Sequence, residues 1–134
     1  MEISLMEAYM IEVLKTHRYT YDDVQLCLHQ NQYHDLSKVA DMDLTPLKHL
    51  YDQSPEQFKC IYEGDYKVKF MTLNGFKNIL RMRFKLIEDQ YELLAQGNGI
   101  EKLAIDEQTE RAISTILSNN WKVKRNGEFV TFYV

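Results

Sequence analysis

The sequence comprises 134 residues and 16.0 kDa, one domain's worth of chain that can bury roughly two-thirds of the surface it exposes when unfolded. Its 45% hydrophobic, 12% aromatic and 27% charged residues are globular values that exclude an intrinsically disordered chain. The apolar runs fall far short of the ~20 residues needed to span a bilayer.

The formal net charge of -4 conceals an uneven distribution. Residues 1–65 hold 12 acidic and 5 basic side chains, residues 66–87 hold 6 basic and no acidic, and residues 88–134 hold 8 acidic and 5 basic. This order predicts a polarised surface, or two halves that partly neutralise each other.

Taken in order, the first elements are helical. Ser4-Leu5-Met6-Glu7 is a capping box, in which the serine oxygen accepts the Glu7 amide while Glu7 reaches back. Met6, Tyr9, Met10, Val13 and Leu14 then recur at helical spacing and predict one apolar face. Thr20-Tyr21-Asp22-Asp23 starts a second helix with Val24, Cys27 and Leu28 on one side, and Gln30-Asn31-Gln32 stops it. Asp35 to Ala40 reads as a short helical turn. Thr45-Pro46 and Ser54-Pro55-Glu56-Gln57 each place a capping hydroxyl before a proline at the first helical position, where its missing amide costs nothing. They open helices carrying Leu47, Leu50 and Tyr51, and Phe58, Ile61 and Tyr62, the latter ended by Gly64.

Residues 66–72 alternate as a short strand does. Leu73, Phe76, Leu80, Phe84, Ile87, Tyr91 and Leu94 then step by three and four, predicting a six-turn helix ended by Gly97-Asn98-Gly99. Residues 100–105 read as a connector. Asp106 caps a helix over 107–119 with Ala112, Ile113, Ile116 and Leu117 facing in, and 121–134 form a β-hairpin around Asn126-Gly127. The expected fold is therefore α+β and predominantly helical, a single domain over 1–134. It has five or six helices around one core and a C-terminal hairpin that the strand at 66–72 could join.

Candidate chemistry fails on spacing. His29 and His34 are five apart, across a helix end, whereas a helical metal pair needs i,i+4. Asp41-Met42-Asp43-Leu44-Thr45 begins like a calcium loop, but Pro46 stands where glycine is required and Asp52 where a bidentate glutamate is required. Its aspartates instead solvate and cap the helix that begins at Thr45. Cys27 and Cys60 fall in helices as small core residues, and the sequence has no nucleophile elbow and no phosphate loop. No catalytic residue, no metal and no cofactor is expected, and the chain is not expected to be an enzyme.

Binding readings fare better. Lys77, Arg81 and Lys85 lie at i, i+4 and i+8 on the long central helix and predict a cationic ridge for a partner. Bases early and acids late in that helix oppose its dipole, which hints at selection for an acidic partner segment, the chain's own first half included, or for nucleic-acid phosphate. Tyrosine occurs nine times, and surplus tyrosines favour protein interfaces. The leading expectation is a small cytoplasmic protein that binds another protein as adaptor, inhibitor or regulator, with a homodimer open and no membrane role. The alternative is a winged-helix-like DNA-binding transcriptional regulator. There, helix 107–119 offers Arg111, Ser114 and Thr115 to the bases, and the hairpin 121–134 lays Lys122, Lys124 and Arg125 on phosphate. Glu107 and Glu110 at the start of that helix oppose this alternative.

Overall fold

A computed structural model describes all 134 residues, Met1–Val134. Two compact units divide the chain, residues 1–66 and 67–134. The first is helical apart from the two-residue strand β1 (Glu2–Ile3), and contains α1 (Leu5–Thr16), α2 (Tyr21–His29), α3 (His34–Ala40), α4 (Thr45–Gln53) and α5 (Pro55–Tyr62). The second contains β2 (Lys67–Val68), α6 (Leu73–Phe84), a 3-10 turn at Glu88–Gln90, β3 (Glu92–Leu93), β4 (Gly99–Ala104), α7 (Glu107–Ile116), β5 (Lys122–Asn126) and β6 (Phe129–Tyr133). The fold is α+β and predominantly helical. It has seven helices rather than five or six, because the turn expected at 35–40 is a helix from His34. No helix is long and apolar enough to cross a membrane.

In the first unit the local signals set the helix starts. The Ser4 and Thr20 boxes form with both reciprocal hydrogen bonds, and Ser54 accepts from the Gln57 amide. At α4 the cap differs from expectation. Thr45 is already helical, and Asp43 Oδ1 takes both its amide and its hydroxyl, at 3.0 and 2.7 Å. The buried face of α1 is also rotated from the expected one. Ala8, Met10, Ile11 and Leu14 go in while Met6 is 52% exposed. These residues join Val24, Leu28, Leu36, Leu44, Leu47, Tyr51, Phe58, Ile61 and Tyr62 in the core. Phe58 sits among Tyr21, Tyr51 and Tyr62, each with ring centroids 6.1 Å from its own. Cys60 is exposed on α5 rather than in the core.

The second unit departs further from the sequence pattern. The helix expected over 73–94 ends at Phe84, because Lys85 turns left-handed at φ 60° and the Leu86 amide bonds back to Leu80 O. That six-residue return closes a Schellman-type end, and Leu86 tucks under it as the accompanying apolar contact. The helical spacing beyond is coincidental: Ile87 is exposed, and Tyr91 is buried from the link between the 3-10 turn and β3. Most of the stretch expected as a connector, residues 100–105, belongs to β4 (Gly99–Ala104), which pairs with both β3 and β6. The antiparallel sheet runs β3-β4-β6-β5, so the predicted hairpin is extended by β4, and β2 covers only 67–68 and lies outside this sheet. Gly97-Asn98-Gly99 turns β3 into β4 instead of ending a helix. Gly99 is required there, because a Cβ would lie 2.1 Å from Phe132 O on the neighbouring strand. Ile100, Leu103, Val130 and Phe132 form the inner face of the sheet. Phe76 meets Phe132 edge-to-face and Trp121 at a tilt, with ring centroids 5.4 and 4.9 Å apart, and Trp121 donates its indole N–H to Met71 O.

Candidate functional site

The cationic ridge expected on the central helix does not form. Lys85 stands past the helix end as its left-handed cap and donates to Met82 O. Lys77 reaches Glu88 at 2.7 Å, a partner that holds its ammonium pKa up through the hydrogen bond. Arg81 donates to Asn78. With the helix ending at Phe84, Arg81 and Arg83 fall in its last turn and Glu88 and Asp89 lie beyond it. The charges therefore complement the dipole rather than oppose it, and the hint drawn from their order disappears.

The residues of the winged-helix alternative divide. Lys122 and Lys124 are exposed on β5 and Arg111 on α7. Thr115 turns its hydroxyl back to Arg111 O, and the Ser114 hydroxyl oxygen is buried. Arg125 folds inward: it donates to Glu110 at 2.6 Å, to Ile105 O at 2.8 Å and to Gly127 O at 3.0 Å. A guanidinium whose three edges are committed inside its own unit is a structural clasp between α7 and the hairpin.

Tyrosine, too, is largely explained by packing. Tyr51, Tyr62, Tyr66 and Tyr91 are buried, and none of the nine is fully exposed. Tyr51 bonds His29 and Gln25, Tyr33 bonds Thr45, and Tyr66 bonds Glu12.

A different constellation emerges in the first unit, where the α1–α2 link meets α5. An open groove of about 590 Å³ is lined by Lys15, Arg18, Tyr19, Tyr21, Asp22, Lys59, Tyr62 and Glu63. Lys15 comes from the last turn of α1. Arg18 is held at φ 67° in the tight link, where its neighbour Tyr19 returns an amide bond to Leu14 O. The Tyr62 hydroxyl donates to Tyr19 O, pinning α5 to that link. Lys59 lies 5.8 Å over the Tyr21 ring and Lys15 5.9 Å over the Tyr62 ring. Cation–π placement fixes both ammonium groups without neutralising them.

The electrostatics are specific to this place. The unit carries 12 acidic and 5 basic side chains, and three of those five cations line this one groove. None of the three forms an ion pair, although Asp22 and Glu63 line the same walls. Burial pushes the Tyr62 hydroxyl well above its ordinary pKa, helped by the Asp23 and Glu12 carboxylates. Burial raises Tyr21 as well, followed by the charges of Tyr51, Asp22 and Glu63. Both therefore remain protonated and present O–H groups rather than phenolates. The groove holds no histidine and no cysteine, so it offers binding chemistry and no nucleophile–base pair.

Other hollows are less distinctive. One of about 620 Å³ sets Lys38 and His34 beside Asp41 and Asp43, but Asp43 is spent on Thr45. Nowhere do three or more His, Cys, Asp or Glu side chains converge as a metal site would require.

The groove is hidden in the sequence because residues 1–65 are acidic in sum, with 12 acidic and 5 basic side chains. A signal was present in Lys15-Thr16-His17-Arg18-Tyr19-Thr20-Tyr21, two cations followed by two tyrosines at a helix link. Its third cation, Lys59, is brought there only by tertiary packing. Comparison with protein-family models, with curated proteins and with solved structures finds no match to this chain.

Proposed function

We propose that this protein acts by binding another protein, through a short acidic segment that the partner lays into the groove between the α1–α2 link and α5. The observation that carries the reading is the convergence of Lys15, Arg18 and Lys59, unpaired, in a unit otherwise dominated by carboxylates. A partner carboxylate gains charge-assisted hydrogen bonds there, and an adjacent apolar side chain finds the partly covered rings of Tyr19 and Tyr21. The acidic surroundings disfavour the same segment elsewhere on the unit, which gives the site specificity as well as attraction. Asp22 and Glu63 in the walls favour a peptide over nucleic acid, since a run of phosphates would meet both carboxylates.

An array of ten-residue peptides carrying one to three glutamates beside an aromatic or aliphatic residue tests this, with a mixed-sequence DNA duplex as a parallel probe at low salt. The wild-type protein is expected to retain a subset of acidic peptides. Lys15→Glu with Lys59→Glu, checked by circular dichroism for an intact fold, is expected to lose them by tenfold or more. Retention of no peptide, equal retention by the double variant, or a duplex that binds through the same lysines would overturn the reading.

A further inference from the structure

We propose that the free edge of β5 is a second docking site, one that takes an extended acidic segment of a partner protein as a fifth strand of the sheet. This goes beyond the groove and does not rest on it.

β5 ends the sheet order, five residues long, with β6 on one side and no strand on the other. The hairpin that joins them closes on the pair Asn126↔Phe129 across a two-residue turn, with Gly127 at φ 68°. In such a hairpin the closing pair exchanges hydrogen bonds and the pattern alternates from there. The backbone groups of Lys122, Lys124 and Asn126 therefore point to β6, and those of Val123 and Arg125 point off the edge. Neither Val123 nor Arg125 has a backbone hydrogen bond to another part of the chain. The edge thus presents two N–H and two C=O groups, enough to register a short strand. The Arg125 side chain, held by Glu110 and Ile105, keeps that stretch of edge fixed before anything docks.

Side chains identify the occupant. Lys122 and Lys124 project from one face of β5, directly opposite Tyr133 and Thr131, and neither forms an ion pair. An incoming strand would set its own side chains beside these two lysines, where opposite charges attract and like charges repel. Lysines on an edge guard against edge-to-edge aggregation, and here they do so against a second copy, whose antiparallel β5 would bring lysine against lysine. They favour a strand with glutamate or aspartate at alternate positions, the β-augmentation mode in which main-chain bonds give affinity and alternate side chains give specificity.

The probe is a nine-residue peptide alternating glutamate with valine and threonine, added to the full chain while amide hydrogen exchange is followed residue by residue. Exchange at the Val123 and Arg125 amides is expected to slow by at least tenfold, with Lys122 and Lys124 amides, already paired with β6, little changed. Lys122→Glu with Lys124→Glu is expected to abolish that protection and to transfer it to the corresponding lysine-alternating peptide. The groove variant Lys15→Glu/Lys59→Glu is expected to retain it, so failure of one site is read separately from failure of the other. Unchanged exchange, protection that does not depend on peptide charge, or protection that grows with protein concentration alone would overturn the proposal, the last by showing that β5 pairs with another copy.

Discussion

Tyr66 donates its hydroxyl hydrogen to the Glu12 carboxylate at 2.7 Å, and Glu12 is only 2% exposed. A buried carboxylate left without its donor loses far more than the bond contributes when formed. Tyr66→Phe is therefore expected to lower stability by about 1–3 kcal/mol in urea unfolding. Adding Glu12→Met to that variant should recover much of the loss, because both partners are then apolar; a double variant as unstable as the single one would refute this. Arg125 makes the opposite point about residues that look like surface charge in sequence. Its three bonds, each within its own unit, make Arg125→Ala cost on the order of 2–3 kcal/mol, whereas Lys124→Ala next door should stay within about 0.5 kcal/mol. Arg125→Lys should not rescue, since an ammonium cannot span Glu110, Ile105 O and Gly127 O together. Equal midpoints for the Arg125 and Lys124 variants would show that Arg125 does not clasp α7 to the hairpin.

Five of the seven helices begin at a side-chain cap, while α3 and α4 start without one. Ser4, Thr20, Ser54, Thr72 and Asp106 each cap a helix through a hydrogen bond three residues long, so those starts are readable from four residues of sequence. The end of α6 is not. Lys85 occupies a left-handed conformation at φ 60° that glycine would take without strain, and no residue type at that position announces a stop. Lys85→Gly is expected to raise stability by up to about 1 kcal/mol, measured as a higher unfolding midpoint at unchanged m. The converse substitution, Gly99→Ala, forces a methyl against Phe132 O and should cost about 3 kcal/mol, the upper end of overpacking. A Gly99→Ala protein with a wild-type midpoint would mean that β4 shifts freely, against the paired register that β6 imposes on it.

Across the whole molecule the charge divides with the fold. Residues 1–66 carry 12 acidic and 5 basic side chains, and residues 67–134 carry 8 acidic and 11 basic. Many carboxylates sit at helix starts, and three have pKa values held below the ordinary 3.8. Asp23 is lowered by the Thr20 amide and then its hydroxyl, Asp43 by the Thr45 hydroxyl and then its amide, and Asp106 by the Thr109 hydroxyl and then its amide. A carboxylate with a lowered folded pKa releases its proton more readily in the folded state. Its contribution is therefore complete above 3.8 and is lost as the pH falls through the folded value. Thermal stability should accordingly decline on the acid side, between roughly pH 5 and 2. In Asp23→Asn/Asp43→Asn/Asp106→Asn that decline should be shallower, with little loss at neutral pH because asparagine still accepts the capping bond. Parallel acid limbs for the two proteins would show that the capping carboxylates do not govern them.

What the sequence determined by itself is whatever depends on neighbours a few residues apart. That includes the caps at Ser4, Thr20, Ser54 and Asp106, the proline-led starts of α4 and α5, a C-terminal hairpin and the α+β class, although the two turn residues are Gly127 and Glu128, with Asn126 already in β5. Three features required the tertiary structure. Strand β4 pairs with β6 some thirty residues on, and a short run such as Gly99–Ala104 carries no periodicity strong enough to reveal that. Nor could the end of α6 be read, since it is fixed by a backbone strain that the packing of Leu86 holds in place. The groove is the third, because Lys15 and Arg18 meet Lys59 across more than forty residues of chain. Hydrogen bonds within a turn act before the chain is compact, whereas the meeting of distant cations is decided only by which apolar faces the core buries.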